Sequence, residues 1–442
     1  MHSFTNRFNS TFEFCARLSF ALTIILTPFR WRLVVWSRPH DPLYSDYTDF
    51  HLFASDIALL IMLLFWLGSL ILHPRKILVG HWLIWVSLLG LTVAGWVSIL
   101  GSADPILSVY HAVRFVFLLL FYLYTVNEIH TTRWVVIPVA IQVVIQSVVA
   151  IGQSLAQSSL GLGFLGEHTL DPNQSGISIV SMAGMRFLRA YGLSDHPNIL
   201  GGCLVFGLIL LLVVVLYGTK RQSLFASAGF LIAVVALVAT FSRSAWLSLM
   251  VAASFLVVGE ALARRWDSVN RVVWLAAASL LVVSPFLLQN LGAFEARANA
   301  GNVAQDNQMQ ERGYLLDAGN TLFVEHPMFG VGLGATALAL KDRFETFRLD
   351  YQPPHFTLLT VVVEVGLTGG VFYFLLLAVP ALVFLFRWQE IFNQPYLMGA
   401  MALLVGLFVV GLFDYYPWSY APGRLWQWLA WGLFSVGTRK MA

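Results

Sequence analysis

Ile199-Leu200-Gly201-Gly202-Cys203-Leu204-Val205-Phe206-Gly207-Leu208-Ile209-Leu210-Leu211-Leu212-Val213-Val214-Val215-Leu216-Tyr217 carries no charged side chain. As a helix rising 1.5 Å per residue it spans roughly 28 Å, close to the ~30 Å hydrocarbon core of a bilayer. Similar runs recur along the chain, at 14–29, 52–72, 82–101, 109–126, 134–153, 199–217, 224–241, 244–262, 272–288, 356–386, 396–413 and 425–437. The 442 residues are 58% hydrophobic and 11% charged, against about 25% charged in a soluble domain. The pattern predicts an all-α polytopic membrane protein with about twelve transmembrane helices, built as a single membrane domain over 1–442. Strand-type alternation is weak, which argues against an outer-membrane barrel. Arg17 interrupts the first apolar run and no small-x-small site follows it, so this run reads as an uncleaved first helix.

Composition also excludes several classes. The net charge is only +3 and forms no basic stripe, so no nucleic-acid partner is expected. Cys15 and Cys203 both sit in apolar segments, as packing residues do. Cys, His and carboxylate residues show no metal-ligand spacing, so neither metal nor cofactor is expected.

Short connections set the orientation. His73-Pro74-Arg75-Lys76, Arg133, Lys220-Arg221, Arg264-Arg265 with Arg271, Arg387 and Arg439-Lys440 fall in every second connection, which assigns that side to the cytoplasm. The long loops 30–51, 154–198 and 289–355 then lie on the opposite face. They carry Arg30, Arg32, Arg38, Arg186, Arg189, Arg297, Arg312, Lys341, Arg343 and Arg348, a density of cations that calls for anionic partners. Within 289–355, Glu311–Val324 reads as a helix and Gly330-Val331-Gly332-Leu333-Gly334 as a break, together a helical extracytoplasmic cap.

Each polar candidate has a functional and a plainer reading. His355 stands at the mouth of an apolar helix, either as a general base or as a satisfied interfacial histidine. Glu364, nine residues on, is a carboxylate at membrane depth that would orient a partner or neutralise a buried cation. Arg243 lies at a tight turn between two spans, either gripping phosphate oxygens or snorkelling from a helix end. Arg312 starts the cap helix beside Glu311, as a ligand or as half of a surface ion pair. Arg189 and His196 precede the span at 199, where Asp195 or Asn198 would cap the helix. Asp414 ends another span, and Arg114 inside a span requires an acidic partner. The glycines at 330, 332 and 334 read first as a turn and second as a phosphate cradle.

Taken in order, these pieces resemble the O-antigen ligase/polymerase superfamily of bacterial polysaccharide enzymes. The pieces are Arg189-Ala190-Tyr191-Gly192 with His196-Pro197-Asn198, then Ser242-Arg243-Ser244-Ala245-Trp246, then Glu311-Arg312. Glu325-His326-Pro327-Met328-Phe329-Gly330 follows, then His355 with Glu364-Val365-Gly366-Leu367, and finally Asp414. The resemblance covers 185–435 and implies a GT-C-like glycosyltransferase. It implies an undecaprenyl-diphosphate-linked glycan donor and a lipid or glycan acceptor, brought together in the lipid bilayer at the outer face of the inner membrane. It also implies that Arg243 and Arg312 engage the diphosphate, with Arg189, His196, Asn198, Glu364 and Asp414 around the substrate and His355 as the catalytic base. One position departs from the family pattern: Phe356 stands where Asn commonly follows the histidine. A polymerase of the same superfamily is the alternative to a ligase. A transporter or flippase is the rival of another class, and would show inverted repeats and mid-membrane breaks.

Overall fold

The computed structural model describes residues 2–182, 185–298, 303–344, 347 and 350–439. Arg348 of the long loops and Lys440 of the cytoplasmic side lie outside the described residues. Helices α1 (His2–Leu26), α2 (Ala54–Leu72), α3 (Trp82–Val97), α4 (Pro105–Glu128), α5 (Arg133–Ala156) and α6 (Pro197–Tyr217) come first. Then follow α7 (Lys220–Ala239), α8 (Arg243–Leu262) and α9 (Trp266–Gln289). The cap segment holds α10 (Leu291–Ala298), α11 (Val303–Glu325) and α12 (Thr336–Arg343). The chain finishes with α13 (Thr357–Phe392), α14 (Pro395–Gly411), the short α15 (Tyr416–Ser419) and α16 (Ala421–Arg439). Two antiparallel hairpins, β1 (Arg32–Trp36) with β2 (Phe50–Phe53) and β3 (Ile179–Met182) with β4 (Met185–Leu188), ornament the long loops.

Every apolar run read from the sequence is occupied by a helix. Among the described residues, nine of these helices are long and apolar enough to cross a membrane: α2 to α9 and α13. Helix α14 is apolar over a shorter length. Helices α1 and α16 occupy the remaining two positions and carry polar residues, Glu13 and Arg17 in one and Arg424 and Gln427 in the other. The cap helix α11 is longer than the predicted Glu311–Val324 segment, and helices flank it on both sides.

Helix α6 forms the centre. Its apolar window is 89% buried, against 11% for α9. A helix apolar on every side is satisfied when protein surrounds it, and α5, α7, α8, α14 and α16 all pack on α6. Close approach needs a missing side chain at Gly202, where an added Cβ would lie 1.4 Å from the Tyr416 hydroxyl oxygen. That contact brings the segment after α14 against the start of α6.

The cap is tied to the bundle through α13, which kinks at Gly366 (φ 61°, ψ −168°). A Cβ there would meet the carbonyl oxygen of Met328 at 2.2 Å. The freed carbonyls of Val363 and Glu364 accept from the amides of Val331 (2.8 Å) and Gly332 (3.0 Å). The glycine-rich segment is thereby a turn clasped to the kink, with its amides engaged by protein. On the other side of the cap, Leu322, Val331, Leu340, Tyr351 and Val363 form a small apolar core with Phe356 packed against it. Phe356 thus helps to hold α11 on α13.

Candidate active site

The turn after α14 places Asp414 3% exposed beside the beginnings of α6 and α13. Its main-chain oxygen accepts from Thr357 Oγ1 (2.7 Å), fixing the first turn of α13. Its Oδ1 accepts from the Tyr415 amide (2.9 Å), and its Oδ2 from Asn198 Nδ2 (2.9 Å). Asn198 Oδ1 in turn accepts from Arg189 Nη2 (2.6 Å). Arg189 also donates from Nε to the carbonyl of Thr240 (2.8 Å) and from Nη1 to Ser178 Oγ (2.8 Å). A continuous polar chain therefore runs from the turn before α8, through Arg189 and Asn198, to Asp414.

His355 stands over the far end of this chain. Its Nδ1 lies 3.7 Å from Asp414 Oδ1, longer than a hydrogen bond, and has no hydrogen-bond partner among the described residues. Tyr415 supports the imidazole edge-on at 4.9 Å between ring centroids. The Tyr415 hydroxyl is held by that of Tyr47 at 2.7 Å.

His196, rather than Asp195 or Asn198, caps α6: its Nδ1 accepts from the Asn198 amide at 3.1 Å. An accepting Nδ1 puts the proton of the neutral ring on Nε2. Burial first, and then Arg189, push this imidazole down to about 3, against the opposing pull of Asp414. Asp195 is used elsewhere, pairing with both Arg30 and Arg32 at 2.9 Å. Burial raises the Asp414 carboxyl, but His355, Arg312 and His196 outweigh burial and hold it below the usual carboxylate range. At neutral pH the site thus has an anionic Asp414 and a neutral His196.

Four arginines share this electrostatic neighbourhood. Arg243 opens α8, directly after the N-cap Ser242 and the buried Phe241, whose φ is 51°. Arg297 comes from the last turn of α10 and Arg312 from α11. Burial lowers Arg297 to about 10, with Arg243 and then Arg312 adding to the shift. Burial lowers Arg189 to about 9; Arg297 and Arg312 add to this while Tyr191 and Asp414 oppose it. Arg189 and Arg297 both remain guanidinium ions at neutral pH. The candidates Arg189, Arg312, His196, Asn198, His355 and Asp414 are brought together, and Arg243 lies within charge range of Arg297. Arg297 joins them, although in the sequence it is only one of many loop cations.

Glu364 is placed elsewhere. It is 1% exposed, and its carboxylate accepts from the Gly334 amide (2.8 Å), Trp418 Nε1 (2.7 Å) and Thr336 Oγ1 (3.0 Å). It binds the glycine turn, α12 and α15 to α13. Two further loop cations find protein anions: Arg38 pairs with Asp104 at 2.8 Å and Arg343 with Glu325 at 2.9 Å. The acidic partner of Arg114 is Asp56, at 2.9 Å.

No curated protein matches the chain. Residues 228–374 match the family model described as O-antigen ligase. That stretch contains Arg243, Arg297, Arg312, His355 and Glu364, whereas Arg189, His196, Asn198 and Asp414 lie beyond its ends. That third of the chain is thus similar to the O-antigen ligase family, in keeping with the superfamily that the ordered motifs resemble.

Proposed function

We propose that this membrane protein is an O-antigen ligase-type glycosyltransferase, moving a preformed glycan from an undecaprenyl-diphosphate carrier to a lipid or glycan acceptor. The reaction would take place at the extracytoplasmic face of the inner membrane. The observation that carries this reading is the approach of Arg189 and Arg312 to the His355–Asp414 pair, with Arg297 beside both arginines and Arg243 beside Arg297. The family match over 228–374 supports the same class.

Each group then has a distinct task. A diphosphate leaving group carries charge that grows as its bond to the sugar breaks, and a guanidinium fork matches its oxygens. Arg243, Arg297 and Arg312 hold those oxygens. Arg189, already committed to Thr240, Ser178 and Asn198, shapes the field and positions Asn198. With Nδ1 of His355 turned toward Asp414, Nε2 receives the proton of the acceptor hydroxyl. The hydroxyl oxygen bonds to the anomeric carbon as the carbon–oxygen bond to the diphosphate breaks, and Asp414 stabilises the imidazolium. Attack opposite the leaving group inverts the anomeric configuration.

Purified protein, a defined polyprenyl-diphosphate glycan and a lipid acceptor provide the test. A single transfer of the whole glycan to the acceptor supports the ligase. Stepwise extension of one glycan by another assigns the protein to the polymerases of the superfamily, and no transfer with either acceptor contradicts the enzyme reading.

A further inference from the structure

A second polar cluster lies where α2, α4 and α16 begin. It contains Arg424, 2% exposed, and His51, 6% exposed. Arg424 donates from Nε to the carbonyl of Trp418, and its Nη1 lies 3.1 Å from His111 Nδ1. Its Nη2 is buried without a hydrogen-bond partner among the described residues, as are both ring nitrogens of His51. The nearby carboxylates do not fill this need. Glu364 is occupied by Gly334, Thr336 and Trp418, and Asp56 by Arg114. An unmet buried guanidinium donor is costly and points to a ligand.

The space in front of these groups is amphipathic. A cavity of ≈ 340 Å³ runs between α2, α4 and the start of α16, with Arg424, Arg114 and His51 at its polar end. Its wall follows α4 from Ile106 to Leu118, apolar at Ile106, Val109, Val113, Phe117 and Leu118 and polar at Tyr110 and Arg114. The twelve helical rises from Ile106 to Leu118 correspond to roughly 18 Å, about the thickness of one leaflet of a ~30 Å hydrocarbon core. Ile106, Val109 and Val113 line the cavity and are also exposed apolar residues of α4, so it borders the surface that a membrane would cover. At the polar end it adjoins a smaller cavity that shares His51, Tyr110, Arg114, Ala421 and Arg424. Burial and then Arg32 lower the His51 imidazole, so it meets a ligand as a neutral ring with one N–H.

We propose that this cleft is a binding site for a bilayer phospholipid, with an acyl chain along α4 and the headgroup phosphate accepting from Arg424 Nη2 and His51. The site is independent of the glycosyl-transfer reading: its residues are separate from the arginine–histidine group, and either reading stands if the other fails. A neutral chain would leave the guanidinium unmet, and a free phosphate would leave the apolar channel empty. Chain and charge are required on one molecule.

The full-length protein, stripped of lipid in a neutral alkyl-maltoside detergent, is titrated with phosphatidylglycerol while its melting temperature is followed. Inorganic phosphate and additional detergent serve as separate arms. Wild type is expected to gain a saturable upward shift with phosphatidylglycerol alone. Val113→Trp fills the channel from a partly exposed position, and Arg424→Gln removes the charged donor. Each should weaken lipid binding by about tenfold or more, as expected for loss of one charge-assisted hydrogen bond or of the chain's slot. If Arg424→Gln does not fold, Val113→Trp alone decides. Unchanged lipid affinity in the folded variants overturns the proposal, as does an equal shift from inorganic phosphate or from detergent.

Discussion

Asn198 Nδ2 donates to Asp414 Oδ2 at 2.9 Å, joining the first turn of α6 to the turn that follows α14 across 216 residues of sequence. The same amide group accepts from Arg189 at 2.6 Å, so Asn198 relays one cation to one anion. Hydrogen bonds to charged groups are worth about 1.5–3 kcal/mol. Asn198→Ala should therefore lower the transfer rate by roughly tenfold to a hundredfold while the helical content measured by circular dichroism stays unchanged. Asn198→Asp should do more damage, because it sets a second carboxylate against Asp414. Equal rates for wild type and Asn198→Ala would remove Asn198 from the account.

Arg297 makes a separate prediction. It shares its surroundings with Arg243 and Arg312, so Arg297→Ala should raise KM for the diphosphate donor and lower kcat, together costing about 10- to 100-fold in kcat/KM. Arg297→Lys keeps the charge but loses the fork, and should fall between the two. Steady-state kinetics with varied donor checks both, and a variant with wild-type donor KM would count against the clamp.

His196 gives a pH test of stability. Its imidazole is held down to about 3 in the folded protein by burial and then by Arg189, against ~6.5 in an unfolded chain. Between those values the unfolded state binds the proton and the folded state does not, so stability falls as pH drops through this window and levels off below it. His196→Asn removes the titration but keeps a side-chain oxygen for the helix cap. The difference in melting temperature between wild type and variant should narrow or reverse by several degrees as pH falls from 7 to 4. A constant difference would contradict the buried neutral imidazole.

Glu364 separates support from substrate contact. All the described hydrogen bonds of its carboxylate go to Gly334, Thr336 and Trp418. Glu364→Gln substitutes an N–H group for one acceptor facing these donors, and should destabilise the protein by about 1–3 kcal/mol. Thermal melting measures that loss, while donor KM should change less than twofold at temperatures where the variant remains folded. A large change in KM with no loss of stability would move Glu364 back among the substrate contacts.

The membrane helices were legible because each is a long apolar run, a local property that survives without knowing any neighbour. Cation pairing was not legible, because it is tertiary. Arg30 and Arg32 appear as excess charge in the sequence, yet their anion is Asp195, more than 160 residues away. No sequence spacing reveals such pairs, so Arg297 does not stand out from the other loop cations. The cap of α6 is hidden from the sequence for the same reason: Asp195 and Asn198 are good capping residues, but arginines and Asp414 claim their side chains, leaving the position to His196. Phe356 stands where the family pattern commonly has Asn; in the fold it packs against the apolar core beneath α11.

The most direct test of the central claim is single-turnover glycan transfer by purified His355→Ala, with donor binding measured in parallel. The account predicts a loss of about 10²- to 10⁴-fold in the chemical step, the usual contribution of a positioned base, with donor affinity changed only slightly because the arginines remain. Full transfer activity in His355→Ala would contradict the account.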